Sequence, residues 1–238
     1  KKAAGTLPSN GAVVSTIVST DMTKAICEEY GMKYFDVLTG FKYIGEKIKE
    51  FEADGSYQYM FGFEESYGCL AGTYARDKDG CLATMLICEL AAYYKTKGMS
   101  LYDGLIALYE KYGYYKEDIT SITLKGIDGA AQIKKVMDTL RAESLNEVAG
   151  VKVIEARDYS VDKIVNTVTG EESKSGLPSS NVLYYILEDG TWFCVRPSGT
   201  EPKIKVYFGS KGKTQEEADT KVKTASDGIL AIVDEILK

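Results

Sequence analysis

The segment at residues 196–202, Arg-Pro-Ser-Gly-Thr-Glu-Pro, concentrates groups that can bind an anion. It lies between two predicted strands and places a guanidinium, two hydroxyls and a glycine backbone within five positions. These groups suit a phosphate dianion, because the guanidinium supplies paired charged donors and the hydroxyls and backbone N–H groups supply short neutral ones. A tight Pro/Ser/Gly turn with an incidental arginine is the alternative, and residue types alone leave both open.

A second segment, residues 62–68 (Gly-Phe-Glu-Glu-Ser-Tyr-Gly), begins at the end of a predicted strand at residues 57–63. Ligands of α/β sheets usually bind at the carboxyl ends of the strands. In extended backbone, Glu64 and Ser66 would point the same way, because side chains two residues apart share a face. A carboxylate and a hydroxyl so arranged can hold neighbouring sugar hydroxyls. A polar loop that caps the next element is the alternative.

Two further segments carry weaker signals. Residues 76–80, Arg-Asp-Lys-Asp-Gly, precede a long apolar helix and include Lys78. From residue types alone, a solvated charged turn that caps the helix is the favoured interpretation of this segment. Residues 39–42, Thr-Gly-Phe-Lys, follow the second predicted strand and should therefore lie at the same sheet edge as residues 62–68.

The first half of the chain alternates strand and helix patterns. The predicted elements are, in order, a strand at 12–18, a helix at 22–31, a strand at 32–38, a helix at 41–52, a strand at 57–63, and helices at 81–94 and 101–112. Ser100 and Asp103 form a predicted capping box at the start of the last helix. This alternation predicts a layered α/β domain with a mixed sheet, which we assign to residues 1–116.

The second half has a different pattern, with hairpin signals and fewer helices. The predicted elements are a strand at 119–124, a helix containing Ile127 and capped by Asp128, a strand at 151–154, a polar loop at 166–180, strands at 182–187, 191–195 and 203–208, and a last helix capped by Thr214 and Glu217. They predict a smaller α+β domain with an antiparallel sheet and helices on one face, at residues 117–238.

The composition excludes several classes of function. The chain has a formal net charge of −6 and a pI of about 5.0, so we expect no general nucleic-acid partner. No apolar run approaches the roughly 20 residues that cross a bilayer, so we expect no membrane partner either. The five cysteines include no C-x-x-C pair and are odd in number, which predicts a reducing cytoplasm.

The absence of histidine is the most useful exclusion. It removes Ser-His-Asp and Cys-His catalysis, histidine-ligated zinc and imidazole acid–base chemistry. Any catalysis must therefore use carboxylates, lysine, tyrosine, hydroxyls or a metal bound elsewhere.

Taken together, the segments at 39–42, 62–68, 76–80 and 196–202 resemble, in order and spacing, the α-D-phosphohexomutase superfamily. The resemblance covers nearly the whole chain and is nearest to the phosphoglucomutase and phosphomannomutase branch. It implies that residues 1–116 are the third and residues 117–238 the fourth of that family's four domains.

The resemblance also implies a role for each matching residue in the first domain. Glu64 and Ser66 would hold sugar hydroxyls, and Thr39 and Gly40, with Lys42, would line the cleft near the sugar. Lys78 matches a family lysine that serves as catalytic acid or base.

In the second domain, the resemblance implies that four residues clamp the phosphate that is not reacting. They are Arg196, Ser198, Gly199 and Thr200. The family interconverts hexose 1-phosphate and hexose 6-phosphate through a hexose 1,6-bisphosphate, with a phosphoserine and bound Mg²⁺.

Two departures limit what this chain can do. The phosphoserine loop and the metal loop belong to the family's first two domains and are absent here. We therefore expect no metal ligands, no bound Mg²⁺ or glucose 1,6-bisphosphate, and no turnover without the N-terminal domains. Gly68 stands where some branches have histidine, and Ser66 favours a hexose over a pentose substrate. The alternatives are a non-catalytic sugar-phosphate-binding module and a phosphopentomutase.

Overall fold

The computed structural model describes residues 1–2, 4–124, 128–143, 145–199 and 201–238. The chain divides into two compact units, Lys1–Gly113 and Tyr114–Lys238. The predicted boundary between residues 116 and 117 lies inside the first strand of the second unit. That strand begins at Tyr114, which pairs with Gly212.

Unit 1 (Lys1–Gly113) is an α/β domain with a mixed sheet, as the sequence predicts. Its elements are β1 (Gly11–Thr16), α1 (Met22–Tyr30), β2 (Lys33–Val37), α2 (Phe41–Asp54), β3 (Gln58–Phe63), β4 (Cys69–Leu70), α3 (Gly80–Thr96) and α4 (Leu101–Tyr112). The strand order is β2-β1-β3-β4, with β1 parallel to β2 and β3, and β4 antiparallel to β3. The three parallel strands therefore end at one edge of the sheet.

The elements of unit 1 follow from short-range physics. Every residue of β1 is buried, which explains its continuous apolar run. Helix α1 ends where Gly31 adopts a left-handed conformation (φ 66°), which glycine does without strain. Helix α2 packs Ile44 and Ile48 against the sheet. The capping box of Ser100 and Asp103 at the start of α4 is confirmed.

Unit 2 (Tyr114–Lys238) is an α+β domain with an eight-stranded antiparallel sheet. Its elements are β5 (Tyr114–Thr123), α5 (Gly129–Ala142), β6 (Glu147–Val148), β7 (Val151–Asp158), β8 (Lys163–Asn166), β9 (Glu172–Ser173), β10 (Leu183–Leu187), β11 (Trp192–Pro197), β12 (Lys203–Gly212) and α6 (Gln215–Leu237). The strand order is β5-β12-β11-β10-β7-β8-β9, and β6 pairs with β7.

The core of unit 2 lies between one face of this sheet and both helices. Alternate residues of the central strands, such as Phe193 and Phe208, pack with Met137 of α5 and with Val222 and Ile229 of α6. The alternation follows from the two-residue period of a strand, and the helical contacts follow the 3.6-residue period. The predicted antiparallel sheet with helices is therefore confirmed.

The structure corrects one detail of the predicted second half and adds to a second. Residues 166–180 are not all loop, because β8 and β9 form a hairpin whose second strand is too short and polar to show a pattern. Asp128 is the N-cap residue of α5, as predicted, but its side chain accepts no capping hydrogen bond from a described residue. Ile127, predicted within that helix, lies outside the described residues.

Candidate ligand-binding site

The segment predicted to hold sugar hydroxyls is a tight turn between β3 and β4. Glu64 donates its backbone N–H to the carbonyl of Gly68 (2.8 Å), and Phe63 pairs with Cys69 directly behind the turn. Glu64 is buried, with 9% of its surface exposed, whereas Ser66 is exposed. The predicted extended backbone between these two residues is wrong, because the chain reverses direction within this turn.

A hydrogen bond that the sequence did not predict holds this turn to the end of β1. The hydroxyl of Thr16, only 1% exposed, donates to Oε2 of Glu65 (2.8 Å). Beside it, the Ser15 hydroxyl donates to the carbonyl of Phe63 (2.7 Å). The only signal in the sequence is a pair of hydroxyl residues at the carboxyl end of an otherwise apolar strand. Thr16 and Glu65 are thus positioning residues for the turn.

Lys78 connects three of the predicted segments within unit 1. Its Nζ lies 3.7 Å from Oε2 of Glu64, 3.3 Å from Oδ1 of Asp77 and 5.7 Å from the centre of the Phe41 ring. Phe41 directly follows Gly40, so the segments at 39–42, 62–68 and 76–80 meet at the edge where the parallel strands end. Ion pairing with Glu64 holds the ammonium group beside the buried carboxylate.

Gly68 permits this contact. A Cβ atom at this position would lie 2.6 Å from Cδ of Lys78 and 3.3 Å from Oε2 of Glu64. Any larger residue would displace the lysine side chain from its present path, since real Cβ atoms do not approach other heavy atoms so closely. Glycine is therefore favoured at position 68 because a side chain would collide with Lys78, and not because the backbone adopts a conformation that only glycine allows.

The loop that carries Lys78 is fixed to its neighbours at both ends. Before the lysine, Arg76 forms an ion pair with Glu52 of α2 and donates to the carbonyl of Thr73 (2.7 Å). Gly45 of α2 allows the close approach, since a Cβ there would lie 2.5 Å from the Arg76 carbonyl oxygen.

After the lysine, Asp79 is the N-cap of α3. Its Oδ1 accepts from the N–H groups of Cys81 (2.8 Å) and Leu82 (3.0 Å), and its Oδ2 accepts from the hydroxyl of Tyr74 (2.6 Å). The Tyr74 hydroxyl and these N–H groups lower the pKa of Asp79, because they favour its ionised form. The interpretation of this segment as a helix cap is confirmed for Asp79.

Residues 39–42 form the entry to α2. Thr39 and Gly40 are half-buried, and Gly40 is the N-cap residue with φ 123°, a conformation that L side chains rarely adopt. Lys42 is exposed, and its Nζ lies 4.7 Å from the centre of the Tyr43 ring. The structure thus keeps the backbone of Thr39 and Gly40 at the edge shared with Glu64, while Lys42 packs on its own helix.

The predicted phosphate clamp occupies the turn after β11 in unit 2. Arg196 and Pro197 are the last residues of the strand, and Ser198 donates its N–H to the carbonyl of Lys203 (2.8 Å) across the turn. Gly199 is exposed at the turn, and Thr200 lies outside the described residues. The guanidinium of Arg196 is half-buried and donates a long hydrogen bond to the Tyr207 hydroxyl (3.4 Å).

The structure adds Lys205 to this group of residues. Lys205 lies directly opposite Arg196 in the register of β11 and β12, so both side chains leave the sheet on one face. Lys203 is neutralised by Glu201 (2.7 Å), but neither Arg196 nor Lys205 forms an ion pair with any described residue. Two like charges face each other without an acidic partner, an arrangement that an anion would stabilise.

The described residues provide no obvious metal site. Among them, no group of three or more Cys, Asp or Glu side chains is placed to hold a metal ion. The Mg²⁺ that the resemblance implies therefore has no fitting ligand set in this part of the chain. In addition, none of the described helices has the length and apolarity needed to span a membrane.

Two family models match the chain in sequence order. "Phosphoglucomutase/phosphomannomutase, alpha/beta/alpha domain III" matches residues 1–112, and "Phosphoglucomutase/phosphomannomutase, C-terminal domain" matches residues 130–226. Curated relatives include the phosphoglucomutase of Staphylococcus aureus strain MSSA476, which is 33% identical over 210 residues. That alignment covers 88% of this chain and 38% of the relative. The phosphoglucomutase of Staphylococcus saprophyticus is 32% identical over 205 residues, 86% of this chain and 37% of its own length.

Solved structures show the same fold at lower identity. The phosphoglucomutase parafusin from Paramecium, in an open form, has a TM-score of 0.61 at 19% identity, over 95% of this chain and 37% of its own. A phosphoglucomutase/phosphomannomutase family protein from Burkholderia thailandensis has a TM-score of 0.54 at 16% identity, over 94% of this chain and 37% of its own. Because two consecutive domain models of one family account for most of the sequence, the chain belongs to the phosphoglucomutase/phosphomannomutase family, of which it carries domain III and the C-terminal domain.

Proposed function

We propose that this chain is the sugar- and phosphate-recognising part of an enzyme that interconverts hexose 1-phosphate and hexose 6-phosphate through a hexose 1,6-bisphosphate. One observation carries the proposal: Arg196 and Lys205 face each other without an acidic partner among the described residues, at the turn that contains Ser198. A phosphate dianion would neutralise both charges and accept hydrogen bonds from the hydroxyl and backbone donors of the turn.

In unit 2, the proposed role of Arg196, Ser198, Gly199 and Thr200 is to hold the phosphate that is not transferred. A hydrogen bond to a charged group contributes about 1.5–3 kcal/mol. Loss of the guanidinium should therefore weaken phosphate binding about 10- to 100-fold, because about 1.4 kcal/mol corresponds to a factor of ten.

In unit 1, Glu64 and Ser66 hold sugar hydroxyls, with Thr39 and Gly40 lining the same edge. The buried Glu64 carboxylate accepts hydrogen bonds from hydroxyls, which is the interaction that distinguishes one sugar epimer from another. Lys78 is the proposed catalytic acid or base. Its contact with Glu64 (3.7 Å) would keep the amino group beside the bound sugar, where it can exchange a proton with the hydroxyl oxygen that bonds phosphorus.

The remaining chemistry belongs, in this proposal, to N-terminal domains of a longer polypeptide. The chain spans 38% of the length of the S. aureus relative, and its described residues lack a metal ligand set. Mg²⁺, a phosphoserine and glucose 1,6-bisphosphate would act in the complete enzyme, in a reducing cytoplasm. We expect this chain alone to bind sugar phosphates without converting them.

Calorimetric titration of this chain with glucose 6-phosphate and with inorganic phosphate tests the proposal. Arg196→Ala should weaken the binding of both ligands about 10- to 100-fold. Lys213→Ala is the matched control, because Lys213 is an exposed lysine just beyond the other end of β12. Equal affinities for Arg196→Ala and the unsubstituted chain would contradict the assigned phosphate site.

Activity of the complete gene product separates the alternatives. A hexose mutase should convert glucose 1-phosphate or mannose 1-phosphate faster than ribose 1-phosphate, and a phosphopentomutase should show the reverse order. A non-catalytic module would bind these compounds and convert none of them.

A further inference from the structure

Helix α3 is apolar around its whole circumference. Of its 17 residues, Gly80–Thr96, only Glu89 and Lys95 are charged. A helix with apolar residues on every side is normally buried in a protein core, because exposure of that much apolar surface to water is unfavourable. In this structure, however, none of the helix residues is buried.

The exposed apolar surface extends from α3 onto α4. The two helices pack at Gly104, where a Cβ atom would lie 2.4 Å from the Tyr94 ring. The large apolar side chains that remain exposed are Met85 (59%), Ile87 (48%), Leu90 (43%), Tyr93 (52%), Leu101 (38%), Tyr102 (69%) and Leu105 (36%). We call these seven residues the α3–α4 surface. Large exposed apolar patches on soluble proteins are characteristic of interaction sites, and these seven residues lie on two helices that pack against each other.

We propose that the α3–α4 surface is the docking surface for the domain that precedes unit 1 in a longer polypeptide. The family model that matches residues 1–112 describes a domain III, and the curated relatives are more than twice as long as their aligned parts. Because the second matching model is the C-terminal domain, the unmatched length of these relatives lies before domain III. A preceding domain is thus the expected neighbour of unit 1.

The chemistry of the surface supports a permanent partner within the same polypeptide. Interfaces that never separate resemble a domain core and are poor in charged residues, whereas transient interfaces are about as polar as the remaining surface. With two charged residues in 17, α3 has the composition of the first kind. A second copy of this chain is the competing occupant, and the experiment below distinguishes the two.

Native cysteines provide the probe for this proposal. Cys81 and Cys88 are exposed on α3, whereas Cys27 is buried and its pKa is raised to about 11 by burial. Thiol labelling with iodoacetamide, followed by mass spectrometry, should be compared between this chain and the polypeptide encoded by the complete gene. We expect Cys88 to react at least tenfold more slowly in the longer polypeptide, at a rate independent of protein concentration. Cys27 should react slowly in both.

A substitution within the surface sharpens the test. Leu90→Glu should restore rapid labelling of Cys88 in the longer polypeptide, because the introduced carboxylate would be desolvated on docking. Val168→Glu is the matched control, since Val168 is exposed (73%) in unit 2, outside the α3–α4 surface. Circular dichroism of both variants in this chain checks that the fold is retained.

Three results would overturn the proposal. The first is equal labelling of Cys88 in the two polypeptides. The second is protection in this chain that increases with concentration together with a dimer in sedimentation, which would identify a second copy as the occupant. The third is a gene that encodes no preceding domain. The proposal rests on the exposed apolar surface and on family membership, and not on the sugar-phosphate function. Because labelling is measured without a ligand, its failure is distinguishable from failure of that function.

Discussion

The two candidate binding segments hold their charged groups in opposite ways. In unit 1, charged and polar side chains are paired within the protein: Lys78 with Glu64, and Glu65 with Thr16. In unit 2, Arg196 and Lys205 face each other with no acidic partner among the described residues. The turn proposed to bind sugar is therefore held by bonds within the protein, whereas the turn proposed to bind phosphate carries an electrostatic cost that a bound anion would relieve.

The largest expected consequence is selective stabilisation of unit 2 by phosphate. A ligand at 100 times its dissociation constant adds about 2.7 kcal/mol to the free energy of unfolding of the part that binds it. Hydrogen exchange with and without inorganic phosphate should therefore show added protection in β11 and β12 and little change in β1 and β3. An equal increase in hydrogen-exchange protection in both units would contradict the proposal that phosphate binds to unit 2 alone.

Removal of the hydrogen bond between Thr16 and Glu65 in unit 1 should have the next largest effect on stability. Thr16→Val replaces the buried hydroxyl and leaves the Glu65 carboxylate without its donor, which should lower the free energy of unfolding of unit 1 by about 1–3 kcal/mol. Thr191→Val is the control, because the buried Thr191 hydroxyl has no hydrogen-bond partner among the described residues. That substitution should be neutral or stabilising. Urea unfolding measures both, and an equal loss in the two variants would refute the anchoring role of Thr16.

Lys205→Gln should change the free energy of unfolding by less than Thr16→Val does, and in the opposite direction. Without ligand, removal of one of two like charges that face each other should stabilise unit 2 by about 0.2–1 kcal/mol. The same substitution should weaken phosphate binding, so the added stability disappears at saturating phosphate. Lys213→Gln, away from Arg196, is the control. Thermal unfolding with and without phosphate measures both effects, and a loss of stability in the absence of phosphate would count against the proposed repulsion.

The smallest expected effect is a pH dependence of the stability of unit 1 that comes from Asp79. The pKa of Asp79 is lowered from its ordinary value of 3.8 by the Tyr74 hydroxyl and the N–H groups of Leu82 and Cys81. A group with a lowered folded-state pKa stabilises the fold above its unfolded pKa, and this contribution is lost as the pH falls through the folded value. The stability difference between the unsubstituted chain and Asp79→Asn should therefore shrink when the pH falls from 6 to 3, as measured by urea unfolding.

Local sequence signals predicted much of the fold but only part of the site. The apolar run of β1, the glycine that ends α1 at Gly31 and the capping box at Ser100 each depend on a few neighbouring residues, so they could be read directly. Glu64 and Ser66 were identified by residue type, yet the extended backbone predicted between them was wrong, because residues 64–68 form a turn. The roles of all the predicted site residues stay predictions: Thr39, Gly40, Lys42, Glu64, Ser66, Lys78, Arg196, Ser198, Gly199 and Thr200.

The residue types and their order determined, from the sequence alone, the two domains, their sheet types and the segments that carry charged and hydroxyl groups. Only the tertiary structure decided which of those groups meet. Thr16 donates a hydrogen bond to Glu65, and the side chain of Lys78 packs against Gly68. Lys205 lies opposite Arg196. These contacts form because sheet order and register bring distant residues together. Pairing between strands depends on long-range contacts, and no short window of sequence contains both partners.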